Sequence, residues 1–184
     1  MIPTFDHNGV IPPFLGNPAH GSNQVSPYLT TSLELCQRFA ISPHRIAILR
    51  KFLAFRNEMR TFGISGFQYL DGSFMEDIEN SSLNRPPNDL DLLTFFRPVT
   101  PIQEANIIAN FRDFVDRTNC KSNYSLDHMV INLGGDPIIL VEFTRYYVQL
   151  FTHNRSNIWK GMLKLEVGIA NEDDDANNFL MSLP

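Results

Sequence analysis

The spacing of apolar and polar positions divides the chain into short strands and longer helices. Ser42-Pro43 reads as an N-cap followed by a first-turn proline. The apolar arc of Ile46, Leu49, Phe52, Leu53 and Phe55 carries that helix to about residue 61, ahead of Gly63. A shorter helix is predicted over 32–39. Thr100-Pro101-Ile102-Gln103 supplies a second cap, with proline at the first position and Gln at the third, and predicts a helix over 101–118. Ala105, Ile108, Phe111 or Arg112, and Val115 set its period, and Ile107 and Phe114 widen its apolar face. Alternation over 124–132 predicts a strand, with Tyr124, Leu126, His128 and Val130 on one face and Ser125, Asp127, Met129 and Ile131 on the other. An apolar strand ends in Tyr69-Leu70-Asp71, another opens with Asp89-Leu90-Asp91, and 159–167 alternates as a late strand. The helix over 101–118 joins the Asp89 strand to the Asp127 strand, which predicts parallel neighbours. Residues 143–151 read as a helix; the apolar run 138–143 fits either a hairpin partner through Gly134-Gly135-Asp136-Pro137 or the start of that helix.

The ends differ from the middle. Ile11-Pro12-Pro13 and Ser26-Pro27 disfavour helix, so 1–31 is an extended arm lying across the domain or partly loose. Glu172, Asp173, Asp174 and Asp175 make 169–184 an acidic tail, most simply a solvated, flexible end, with Phe179-Leu180-Met181 as an apolar anchor for a protein partner. Residues 32–168 form a single domain. With 184 residues, 43% hydrophobic, the chain buries one core and has no room for two full domains. A net charge of -5 excludes a general pull on nucleic acid, so such a substrate needs a local basic patch. Two cysteines, no charged-then-apolar leader and no apolar run of membrane-spanning length predict free thiols in a cytoplasmic protein.

Candidate chemistry concentrates between the strand ending at Asp71 and the strand opening at Asp89. Asp89 and Asp91 alternate onto one face, about 6.5–7 Å apart along the backbone, and can grip one cation together. Gly72 permits a sharp turn and a close ligand approach, and Ser73 opens a short helix predicted over 74–79, whose free N–H groups favour phosphate. Alone, Gly-Ser is an ordinary turn and Asp-x-Asp a common surface pattern; their order along the chain is rarer. Asp127 is an acid in a mostly apolar strand, and Glu142 competes with it as a third carboxylate. Arg45, Arg56 and Arg60 either pair with carboxylates or send one guanidinium to a triphosphate. His128 and His153 lie in no Cys/His cluster with zinc spacing.

The strand, Gly72-Ser73, helix, loop, Asp89-x-Asp91 strand order resembles the DNA polymerase β type nucleotidyltransferase superfamily. Asn8-Gly9-Val10-Ile11-Pro12-Pro13, Arg145-Tyr146-Tyr147, His153-Asn154-Arg155 and Trp159-Lys160-Gly161-Met162 further resemble a small family of prokaryotic and phage nucleotidyltransferase-like proteins. The loop 80–88 is longer than in compact bacterial members. The resemblance implies an α/β (α+β) nucleotidyltransferase fold, a mixed sheet with helices mainly on one face. It implies transfer of NMP from an NTP to a hydroxyl of RNA or a tRNA end, a protein or a small molecule. Asp89, Asp91 and Asp127 would hold two Mg2+ (or Mn2+) ions, and Asp127 would activate the acceptor. Gly72 and Ser73 would hold phosphates, with Lys160 as a phosphate ligand or an exposed strand lysine. Several such proteins serve in toxin-antitoxin or phage-defence modules. The alternatives are a non-catalytic nucleotide- or partner-binding protein of the same fold, antitoxin-like, or a site that hydrolyses or senses nucleotides without transfer.

Overall fold

The computed structural model describes residues 1–17 and 24–183; residues 18–23 of the predicted arm and residue 184 of the predicted tail lie outside the described residues. The elements run β1 (Tyr28–Leu29), α1 (Ser32–Phe39), α2 (Pro43–Thr61), β2 (Gly66–Asp71), β3 (Leu90–Phe96), α3 (Pro101–Asn110), α4 (Arg112–Val115), α5 (Arg117–Tyr124), β4 (Leu126–Asn132), α6 (Pro137–Phe151), β5 (Leu163–Val167) and α7 (Ala170–Met181). The strands form one mixed five-stranded sheet in the order β1-β5-β2-β3-β4. β2 is antiparallel to β3 and β5, β3 is parallel to β4, and β1 is parallel to β5. The fold class is thus α+β with a mixed sheet, as the resemblance implies.

Strand alternation sorts the sheet into two faces. Leu70, Leu90, Leu92, Leu126, Leu163 and Leu165 join Leu49, Phe52, Phe55 and Met59 of α2 in the main core. On the other face Leu93, Phe95, Ile131 and Met162 meet Phe151 and the half-buried Leu140, Tyr147 and Val148 of α6. One apolar helix therefore covers the face to which Asp71, Asp91 and Asp127 belong by parity. Through the main core runs a polar chain. Arg56 donates to Asp173 (2.8 Å) and Gln68 (2.8 Å), Gln68 donates to Thr94 (3.0 Å), and Thr94 shares a hydrogen bond with His128 (2.8 Å). His128 faces the core, not the acids, and burial pushes its pKa down to about 3, so it is neutral.

Several predicted boundaries are corrected. The helix predicted over 101–118 breaks twice, because Phe111 leaves helical geometry (φ -133°) and Asp116 caps a new helix by accepting from Thr118 and Asn119, both at 3.0 Å. The helix predicted over 74–79 is only one 3-10 turn, Ser73–Met75. Arg45 occupies the carbonyls that a helix would need, donating to Phe74 O (2.6 Å) and Glu76 O (2.8 Å), while the arm adds a Val10–Glu76 bridge. The run 138–143 starts α6: Asp136 caps it, accepting from Ile138 at 2.8 Å, with Pro137 at the first position. The late strand is shorter than predicted, Leu163–Val167. The acidic end is not a solvated tail but α7, whose Asp173, Ala176 and Leu180 are buried against α1 and α2. Charge count hid the i, i+3, i+7 face that packs. The arm lies across the domain where described, with Val10 and Ile11 fully buried.

Candidate functional site

Three carboxylates stand in one row across the sheet. Asp71 on β2 pairs in register with Asp91 on β3, which pairs in register with Asp127 on β4. Asp89 precedes β3 and shares their face. They line a cleft of about 450 Å³ together with Gly72, Ser73, Arg117, Lys121, Tyr147 and Lys160. The structure thus brings together all six residues singled out as Asp89, Asp91, Asp127, Gly72, Ser73 and Lys160. Glu142 is not among them: it lies exposed on α6 and pairs with Arg145 at 2.8 Å.

Gly72 has φ 81°, a left-handed conformation, and a Cβ built there would collide with the carboxylate of Asp91. The turn is therefore pressed against the second acid of the Asp-x-Asp pair. With the 74–79 helix reduced to a single turn, the expected helix dipole at Ser73 is missing, and only the local turn geometry remains for phosphate. Lys160 is corrected from an exposed strand lysine: it is 2% exposed. Its Nζ donates to Gly72 O (3.1 Å) and Glu76 Oε1 (2.6 Å). It also pairs with Asp71 Oδ1 at 3.0 Å. The lysine holds the turn from below. Burial lowers the affinity of Lys160 for its proton, but Asp71 and Glu76 outweigh this and raise its pKa.

The acids differ sharply in environment. Asp91 is pushed up to about 6, first by burial and then by the charges of Asp89 and Asp127, and among the described residues no cation pairs with it directly. Asp71 is pushed up to about 7, by burial against the opposing charge of Lys160. For Asp127 burial acts upward, but hydrogen bonds from Arg117 and Lys121 outweigh it and hold the carboxyl below its ordinary range. Arg117 grips Asp127 through both oxygens, and Lys121 Nζ lies 3.1 Å from Asp127 Oδ2 and 2.6 Å from Asp89 Oδ2. Arg45 and Arg56 do not reach the cleft: Arg45 pairs with Glu79 at 2.6 Å and Arg56 with Asp173 at 2.8 Å.

Sequence reasoning missed Asp71, Arg117 and Lys121. Asp71 was legible as the register partner of Asp91 once a β2–β3 hairpin was assumed. The i, i+4 spacing of Arg117 and Lys121 becomes visible only when α5 is recognised as a separate helix folding back over β4.

Among the described residues, no group of three His, Cys, Asp or Glu side chains is gathered closely enough to hold a metal ion. The donor set nevertheless fits a hard divalent cation in kind, being all carboxylate oxygen. Asp89 and Asp127 already share one cation, the Lys121 ammonium, and Asp91 beside them has none. No helix among the described residues is long and apolar enough to cross a membrane.

No curated protein and no solved structure matches the chain. A protein-family model does match, over residues 3–166, a span that includes every acid and base of the cleft, and by it the chain belongs to DUF6932, a family of unknown function.

Proposed function

We propose that the protein is a metal-dependent nucleotidyltransferase that moves NMP from an NTP to a hydroxyl acceptor. The observation that carries this reading is the row Asp71–Asp91–Asp127, in register on three adjacent strands, with the Gly72-Ser73 turn packed on its central member.

Asp89, Asp91 and Asp127 would hold Mg2+ or Mn2+, which when bound supplies positive charge against the triphosphate and the leaving pyrophosphate. The remaining chemistry belongs to the chain. Gly72 gives phosphate oxygens room to approach the backbone, and Ser73 adds a hydroxyl donor. Lys160 fixes the turn rather than reaching the ligand. A carboxylate takes the acceptor hydroxyl's proton as its oxygen bonds to the α-phosphorus, and the bond from that phosphorus to the bridging oxygen breaks to release pyrophosphate. Asp127 takes this part, and it gains basicity when Arg117 and Lys121 let go. The acceptor is RNA or a tRNA end, a protein or a small molecule, and a role in a toxin-antitoxin or phage-defence module accords with the resemblance.

Incubation with each α-labelled NTP, Mg2+ or Mn2+, total tRNA and cell lysate tests the reading. Label transferred to a macromolecule or small acceptor, with pyrophosphate released, supports it. Nucleotide binding without transfer supports the alternative, a nucleotide- or partner-binding protein of the same fold, which the closed ion pairs on Asp127 favour.

A further inference from the structure

We propose that Lys121 is a built-in counter-ion whose ammonium occupies the place of a divalent cation and must leave before one binds. The inference rests on the metal-site reading above. Lys121 Nζ stands between Asp89 Oδ2 (2.6 Å) and Asp127 Oδ2 (3.1 Å), joining the carboxylate just ahead of β3 to one on β4. Both acids are thereby charge-paired by one side chain, whereas Asp91, flanked by the same two acids, has no direct cation among the described residues. The arrangement is an acidic cluster one positive charge short.

The two cations on this side are not equivalent. Arg117 makes a forked contact with Asp127 alone. Lys121 makes point contacts with two acids, and its side chain is 51% exposed. A half-exposed lysine gives up little when it leaves an ion pair, and an ammonium on a four-carbon stem can swing into water without breaking any packing. A divalent ion held by Asp89 and Asp127 would bring twice the charge of the ammonium, which favours the exchange. Lys121 sits on α5 at the wall of the cleft, so the displaced ammonium stays beside the cleft, available to a bound polyphosphate.

Competition predicts that removing the ammonium tightens divalent binding. Mn2+ titration by calorimetry should show affinity rising about 5-fold or more in Lys121→Met and in Lys121→Gln, the value expected for losing two exposed contacts. Arg85→Gln is the control, since Arg85 lines the same cleft but pairs with no acid among the described residues. It should change Mn2+ affinity by less than about 2-fold, a screened, long-range effect only. Equal Mn2+ affinity in wild type and both Lys121 variants overturns the displacement while leaving the metal site standing. A gain in Arg85→Gln as large as in the lysine variants also overturns it, because the effect is then general field. No Mn2+ binding in any protein removes the metal site on which the proposal depends. Circular dichroism of the variants, with an unchanged spectrum expected for so exposed a side chain, keeps a folding defect from standing in for either result.

Discussion

Asp91 and Asp127 face each other in register across the parallel pair β3–β4, yet only Asp127 holds cations. The difference comes from chain order. α5 feeds directly into β4 through Ser125 in a left-handed conformation (φ 56°), so Arg117 and Lys121 fold back over the strand that follows them. Asp91, one strand inward, is roofed by Gly72, which offers no charge. Two identical side chains thus acquire opposite acidities, one pushed up to about 6 and the other held low.

That asymmetry predicts a pH-dependent stability penalty. Folded Asp91 binds its proton up to about pH 6, while the unfolded side chain loses it near 3.8. The native state therefore carries the extra proton between those values, and stability contributed by this group falls as pH rises through that window and stays low above it. Asp91→Asn should match wild type near pH 4 and exceed it by up to about 3 kcal/mol at pH 7.5. Urea unfolding at both pH values measures this; an equal or negative difference at pH 7.5 contradicts the charge crowding. The gain should vanish when Mn2+ is added to the wild type, since the ion relieves the same repulsion.

Under the proposed transfer, the acid that takes the proton can be told apart by substitution. If Asp127 is the base, Asp127→Asn leaves NTP binding nearly intact and abolishes transfer, while Glu142→Gln, on the outer side of α6, has little effect on either. Single-turnover rates of both variants, with NTP affinity measured alongside, separate loss of the base from loss of the nucleotide.

At Gly72 a side chain would act on the protein as well as on a ligand. A side chain there meets Asp91 as well as any ligand, so Gly72→Val should both strain the left-handed backbone and displace the acid. Expected are a loss of about 1–3 kcal/mol in stability and a strong loss of NTP affinity. Ser73→Ala should fold normally and lose about 1–2 kcal/mol of NTP binding, one hydrogen bond to a charged phosphate. Normal NTP affinity in a folded Gly72→Val protein would sink the turn as a phosphate site.

The strands carrying Asp91 and Asp127 were legible because alternation with period 2 fixes faces, whereas the β2–β3 register that sets Asp71 opposite Asp91 was not read. The caps at Ser42 and Thr100 were equally readable, being local hydrogen-bond chemistry. What escaped depends on distant partners. Residues 74–79 have helical composition, but Arg45, far along the chain, claims their carbonyls. The acidic 171–178 run hides α7 because the burial of Asp173 is compensated by Arg56, a partner 117 positions away. Lys160 likewise looks like a surface lysine until Asp71 and Glu76 are folded around it.

Lys160 provides the sharpest test of how the turn is built. Lys160→Met deletes the one cation that contacts both Asp71 and Glu76, and it removes the donor to Gly72 O. Breaking a buried pair from one side costs about 3–5 kcal/mol when the remaining charge cannot be neutralised. Here Asp71 can be neutralised: its pKa is already about 7 with the lysine present, and removing that favourable charge raises it further. At pH 5 the orphaned acid is protonated and the loss should be about 1–2 kcal/mol, chiefly the hydrogen bonds. At pH 8 the acid must either ionise without a partner or hold its proton against the solvent, and the loss should grow by about 1–2 kcal/mol. Asp71→Asn added to Lys160→Met should remove most of that pH dependence. Urea midpoints of the three proteins at pH 5 and pH 8 decide it: a loss independent of pH, or one untouched by Asp71→Asn, would mean that Lys160 supports the turn through its hydrogen bond to Gly72 and not through its pairing with the buried acid.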